Sequence, residues 1–171
     1  MQVSDLLIDA FGRIRENVHR AADGLSADDL AFRPDADANS IAWLVWHLTR
    51  IQDDHIADLA ATPQIWHESH WPDRMGFGGD LSDTGYGYTS EQVAAIRPDG
   101  PETLTGYHDA VFERTVGYLR GIGDADLDRV IDRSWDPPVT VGVRLISVVN
   151  DNMQHCGQAG YVRGMLERLN A

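Results

Sequence analysis

The sequence predicts an all-α protein, a four-helix bundle, on three observations. Apolar residues recur at helical spacing in four long segments, no segment alternates as a strand does, and one connection, about Thr62 to Tyr88, is unusually long for a compact domain. The 171 residues suit one domain spanning residues 1–171 with a real core.

The first helix is expected from Val3 to about Asp23, because Leu6, Leu7, Ala10, Phe11, Ile14 and Val18 share a face and Gly24 supplies a stop. SADDLAFRP reads as one helical turn ended by Pro34. The second long helix should start at DANS, where Asn39 or Ser40 can cap free backbone N–H groups, and run to about Ala61 before Pro63. Its apolar face is Ile41, Leu44, Val45, Leu48, Ile51 and Leu59. After the long connection, TSEQ (Thr89 to Gln92) has the capping-box pattern; the helix it opens breaks at RPDGP and resumes through TLTGYHDAVFERTVGYLRGI, ending at Gly121 and Gly123. DADLDRVIDRSWDPP reads as a helical turn and an extended connection, and the last helix runs from Thr140 or Val141 to Leu169.

That last helix carries an anomaly. At 100° per residue, Leu145, Val148, Asp151, His155, Val162, Leu166 and Leu169 fall near one line, so an aspartate and a histidine share an apolar face. Burying an unpaired carboxylate or imidazole costs several kcal/mol, on the order of 2–7 for a polar group without a partner, and a divalent metal would compensate both. A hydrogen bond between the pair, or to an arginine elsewhere, is the plainer alternative. His47 in the second helix, beside Trp43, Leu44 and Ile51, also points into apolar surroundings and is the first candidate for a third ligand. His55 lies eight residues on, about 12 Å along the axis, so the two cannot hold one ion together. It is read as a supporting or pocket residue. His67 and His70, in WHESHW, lack fixed helical geometry and are read as surface residues.

Composition narrows the partners. Twenty-seven acidic residues against fourteen basic ones, all arginine, give a formal charge of −13, which disfavours nucleic acid and anionic lipid. No run has the roughly 20 apolar residues of a membrane span, and the N-terminus lacks a signal peptide's apolar core, so a cytoplasmic location is expected. The single cysteine, Cys156, fits a reducing compartment. GFGGDL and GYGYTS follow no strand and no lysine is present, so neither reads as a phosphate loop.

The segments AWLVWHLTRIQDDH and DNMQHCGQAGYVRG together resemble the DinB-like (DinB/YfiT-like) superfamily, which has a W-H-L histidine in its second helix and a ligand, three residues, then H-x-G-Q in its last. The resemblance implies an up-down-down-up bundle holding a divalent metal, often zinc or nickel, by His47, Asp151 and His155. Many members have histidine where Asp151 stands; two histidines and a carboxylate also suit Fe(II), although zinc is the first expectation.

The superfamily includes thiol S-transferases and mycothiol-dependent maleylpyruvate isomerases. The chain looks most like actinobacterial members, with which its lysine-free composition agrees. The resemblance therefore implies a metal-dependent S-transferase that joins a small thiol, mycothiol first, to electrophilic molecules. It also makes a homodimer plausible. A mycothiol-dependent isomerase and a non-catalytic metal- or ligand-binding stress protein are the alternatives. In the transferase reading the metal deprotonates the thiol and the protein needs no nucleophile. Cys156 projects about 100° from His155 and is read as packing. Gln158, one turn past His155, could orient a ligand or touch substrate; Trp43 could wall the cofactor pocket, with Trp46, Tyr86 and Tyr88; Arg163 could bind an anionic group or form a surface salt bridge.

Overall fold

A computed structural model describes residues 2–171. Its seven α-helices are α1 (Val3–Ala22), α2 (Ala27–Leu30), α3 (Ile41–Ala60), α4 (Trp71–Arg74), α5 (Ser90–Ala95), α6 (Pro101–Arg120) and α7 (Val141–Leu169). The long ones start where the local chemistry satisfies free N–H groups. Ser40 Oγ accepts from Trp43 N at 3.1 Å, Thr140 Oγ1 from Val143 N at 3.3 Å, and Pro101 occupies the first turn of α6, where its missing N–H costs nothing. Helix α3 stops at Ala61, which takes a left-handed conformation (φ 52°), two residues before Pro63.

Contacts between residues far apart in sequence fix the helix directions. Thr49 meets His108 and Gln52 meets Thr115, so α3 and α6 are parallel. His47 meets His155 and His55 meets Arg144, so α7 runs against α3. Arg15 lies over Phe112 while His19 meets Asp109, so α1 runs against α6; Cys156 reaches the Ile14 carbonyl and Arg163 those of Arg20 and Asp23, so α1 and α7 are parallel. The result is the up-down-down-up four-helix bundle.

Parallel neighbours explain the long connection. A 20-residue helix is about 30 Å long, so after α3 the chain must travel back before α6 can start beside it. Residues 61–100 make that return, and they are anchored. The fully buried Arg50 guanidinium sits 3.7 Å from Asp53, donates to Gln64 Oε1 (2.7 Å) and to the carbonyls of Leu81 (3.3 Å) and Asp83 (3.2 Å), and lies over the Trp66 ring. Asp53 in turn accepts from the backbone N–H groups of Ile65 and Trp66 and from Tyr107 Oη. Trp46 packs on Trp66, Phe77 and Tyr88, closing the loop over α3 with aromatic surface.

The core runs through all four long helices, and α3 is at its centre. Every residue from Ile41 to Arg50 is buried, so the first half of that helix is covered all round, by α6, α7 and the loop. The connection from α6 to α7 differs from expectation in one detail. Val130–Asp132 (β1) pairs antiparallel with Val139–Thr140 (β2), a ribbon too short to display period-two alternation in sequence. Among the described residues, no helix is long and apolar enough to cross a membrane.

Candidate metal centre

Helix α7 buries Val141, Leu145, Val148, Asn152, Cys156, Ala159, Val162 and Leu166. This stripe corrects the expected one. Asn152, not Asp151, lies on its centre, and Leu169, expected in line, is 70% exposed at the helix end. Asp151 and His155 stand on the flank facing α3, with side chains 35% and 17% exposed. They are therefore reachable from solvent, which a core position would not allow.

Opposite them, α3 presents His47, which is 5% exposed. His47, Asp151 and His155 each offer one ligand atom, all within 4.8 Å of one another, and this cluster could hold a metal ion. The imidazoles are fixed from behind. His47 Nδ1 donates to the Thr84 carbonyl (2.5 Å) and His155 Nδ1 donates to Gln158 Oε1 (2.8 Å), which leaves both Nε2 atoms with lone pairs directed away from those partners.

The Nε2 edge of His155 faces Asp151 Oδ1 at 3.6 Å, and Asp151 Oδ2 is buried with no hydrogen-bond partner. Two acceptors face to face, and an orphaned carboxylate oxygen beside them, call for a cation between them. Without a metal that cation is a proton. The Asp151 carboxylate raises the pKa of His155 against the opposing effect of burial. Burial pushes Asp151 up, but the bond and charge of His155, followed by His47 and His55, leave its pKa below the ordinary carboxylate value. Burial lowers the pKa of His47, outweighing the Thr84 carbonyl, so His47 favours the neutral form a metal needs. Two imidazoles and a carboxylate fit a divalent ion such as zinc, nickel or iron.

Trp43 walls the cluster, stacking on His47 with ring centroids 4.6 Å apart and presenting an edge to His155 at 6.0 Å. Gly85 lets the loop come down on this wall. Its φ is +93°, and a Cβ there would lie 2.7 Å from the Trp46 ring and 3.1 Å from His47 Nδ1.

Gln158 thus touches a candidate ligand. Arg163 does not join the cluster: it pairs with Glu167 (2.8 Å) and donates to the carbonyls of Arg20 and Asp23 at the end of α1. Tyr88 stacks on Trp46, whereas Tyr86 points into solvent. Cys156 is buried, its Sγ 3.8 Å from the Ile14 carbonyl oxygen, and burial pushes its pKa up to about 12. His67 and His70 are exposed. Two supporting groups are not legible in the sequence: the Thr84 carbonyl carries no local signal, and Gly85 is one glycine among several.

The profile of the DinB superfamily matches residues 10–159. No curated protein matches the chain. Among solved structures, a conserved protein from Enterococcus faecalis is similar at a TM-score of 0.87 and 30% identity, over 95% of this chain and 96% of that one. That superfamily includes metal-binding members, and both the bundle and the His47–Asp151–His155 cluster are what such a member would have. The chain belongs to the DinB superfamily.

Proposed function

We propose that this protein is a divalent-metal-dependent thiol S-transferase, with zinc the first candidate metal and mycothiol the first candidate thiol. The observation that carries the reading is the cluster of three donors, one buried and two partly exposed, with both imidazole tautomers set from behind. Three protein donors leave a position for a further ligand, the arrangement of catalytic rather than structural sites. A divalent ion there would supply the Lewis acidity that lets a thiol lose its proton at neutral pH.

The chain's own residues suit the remaining tasks. His47, Asp151 and His155 would hold the ion, Thr84 and Gln158 keep both imidazoles in the ligating tautomer, and Trp43 shields one side from water. No protein nucleophile is needed, and Cys156, buried with its thiol held protonated, is unfit to be one. With a chlorinated electrophile, the C–S bond forms as the C–Cl bond breaks, releasing chloride and the thiol proton.

The test is elemental analysis of the purified protein, followed by conjugation of a monochlorinated fluorogenic probe to mycothiol, glutathione or cysteine, with and without chelator. Bound metal, chelator-sensitive conjugation and a preference for mycothiol are expected. Conjugation that persists in metal-free protein, or in folded His155→Ala, overturns the reading. Stoichiometric metal without conjugation to any thiol favours a binding protein instead.

A further inference from the structure

Arg144 differs from the arginines that pair with acids in having an imidazole as its partner. Six others, Arg13, Arg15, Arg50, Arg74, Arg114 and Arg163, sit in salt bridges with aspartate or glutamate. Arg144 is half-buried in a chain with 27 acidic residues, yet its partner among the described residues is an imidazole: Nη1 lies 2.7 Å from His55 Nδ1. A guanidinium can only donate, so His55 Nδ1 must accept and its proton must reside on Nε2. Burial, and then the Arg144 charge, lower the pKa of His55 and favour that neutral form. The groups the pair itself has left to offer are donors, the remaining guanidinium N–H groups and His55 Nε2–H.

These donors are aligned with the metal centre. Arg144 precedes Asp151 by seven residues, two helical turns, so the two share a face of α7 about 10 Å apart along the axis. His55 lies two turns beyond His47 on the antiparallel α3. Both ends of this line are reachable, with the His55 and Asp151 side chains 27% and 35% exposed. Two acids lie near the pair and are partly engaged: Asp54 accepts from Gln64 Nε2 through Oδ1 while its Oδ2 lies 3.6 Å from His55 Nδ1, and Asp132 accepts from Ser134.

We propose that Arg144 and His55 form a carboxylate subsite for a ligand whose other end is held at His47, Asp151 and His155. The ligand class is an extended molecule carrying its carboxylate about 10 Å, or about eight bonds, from the atom at the metal centre. The inference rests on that centre holding a metal, and it adds the substrate feature that the transferase reading leaves open.

The test is calorimetric titration of zinc-loaded protein with two probe series of increasing chain length: ω-mercaptoalkanoic acids against their primary amides, and α,ω-dicarboxylates against their monoamides. Acids of intermediate length should bind about ten-fold more tightly than their amides, the contribution of one charge-assisted bidentate contact of about 1.4 kcal/mol. Arg144→Gln should erase that preference with zinc content and amide affinity retained, and Arg144→Lys should restore part of it. Equal affinity for acid and amide at every length, absence of binding in both series, or a preference that survives Arg144→Gln overturns the subsite. Thiol amides that fail to bind, alongside an Arg144-dependent preference among the dicarboxylates, instead overturn the thiol reading and leave the subsite standing.

Discussion

Each imidazole of the cluster has one nitrogen committed to the protein and the other turned toward the centre, so the outer partners matter as much as the ligands. Gln158 Oε1 accepts from His155 Nδ1 at 2.8 Å, which excludes the tautomer with its proton on Nε2. Gln158→Ala should therefore weaken zinc binding by about ten- to a hundred-fold, the usual effect of losing an outer partner, with helix content unchanged. Competition against a chromophoric chelator measures this. Arg163→Ala is the contrast: its bonds go to Glu167 and the end of α1, so it should leave zinc affinity where it was.

The element that most affects the site is the return connection, residues 61–100. It is anchored at two depths, by the buried Arg50–Asp53 pair with its backbone partners and by the descent of Thr84 and Gly85 onto α3. Gly85→Ala meets both a left-handed φ and a 2.7 Å clash with Trp46, so it should cost about 1–3 kcal/mol and pull the Thr84 carbonyl from His47. Gly87→Ala has a positive φ (+73°) but no atom within 4 Å of its new Cβ, and it should cost less. Urea unfolding of the two variants, paired with their zinc affinities, separates backbone strain from the contact. Equal losses in both measurements would contradict the role given to Gly85.

At the scale of the whole molecule, buried polar groups couple the bundle to pH. His108 is fully buried between helices; its Nδ1 faces Thr49 Oγ1, Nε2 has no partner, and burial brings its pKa down to about 4 from 6.5. The native state thus binds fewer protons than the unfolded chain between those values. The contribution of this group is complete above pH 6.5 and falls as the pH drops toward 4, by up to about 3 kcal/mol. His108→Asn, which retains a donor toward Thr49, should flatten that slope while costing some stability at pH 7.5. Urea midpoints at pH 7.5 and 5, taken with chelator present, test it; an unchanged slope would show that His108 is not the source.

Much of the bundle was legible because its signals are local. The cap at Asn39 or Ser40, the Pro63 stop, the glycines after α6 and the helical spacing of apolar residues set the long helices to within a residue or two of their observed ends, although Pro101, read as part of a break, opens α6. The β1–β2 ribbon was not legible, since two or three residues cannot display a period. The same contrast holds at the site. His47, Asp151 and His155 could be singled out because polar residues beside apolar ones are costly, and that cost is visible in one helix at a time.

By itself, then, the sequence determined the helices, the likeness to one superfamily and the three residues with unusual surroundings. Only the tertiary structure decided which way those residues face. It moved Asp151 and His155 from the centre of the α7 stripe to its accessible flank, set the Thr84 carbonyl and Gln158 behind the imidazoles, sent Arg163 to the end of α1, and paired Arg144 with His55. The physical reason is that helix phase drifts relative to any fixed line, and that a side chain's partner is chosen by whichever helix packs beside it. His55 and Arg144 are 89 residues apart in sequence and meet only because α3 and α7 run antiparallel in the folded bundle.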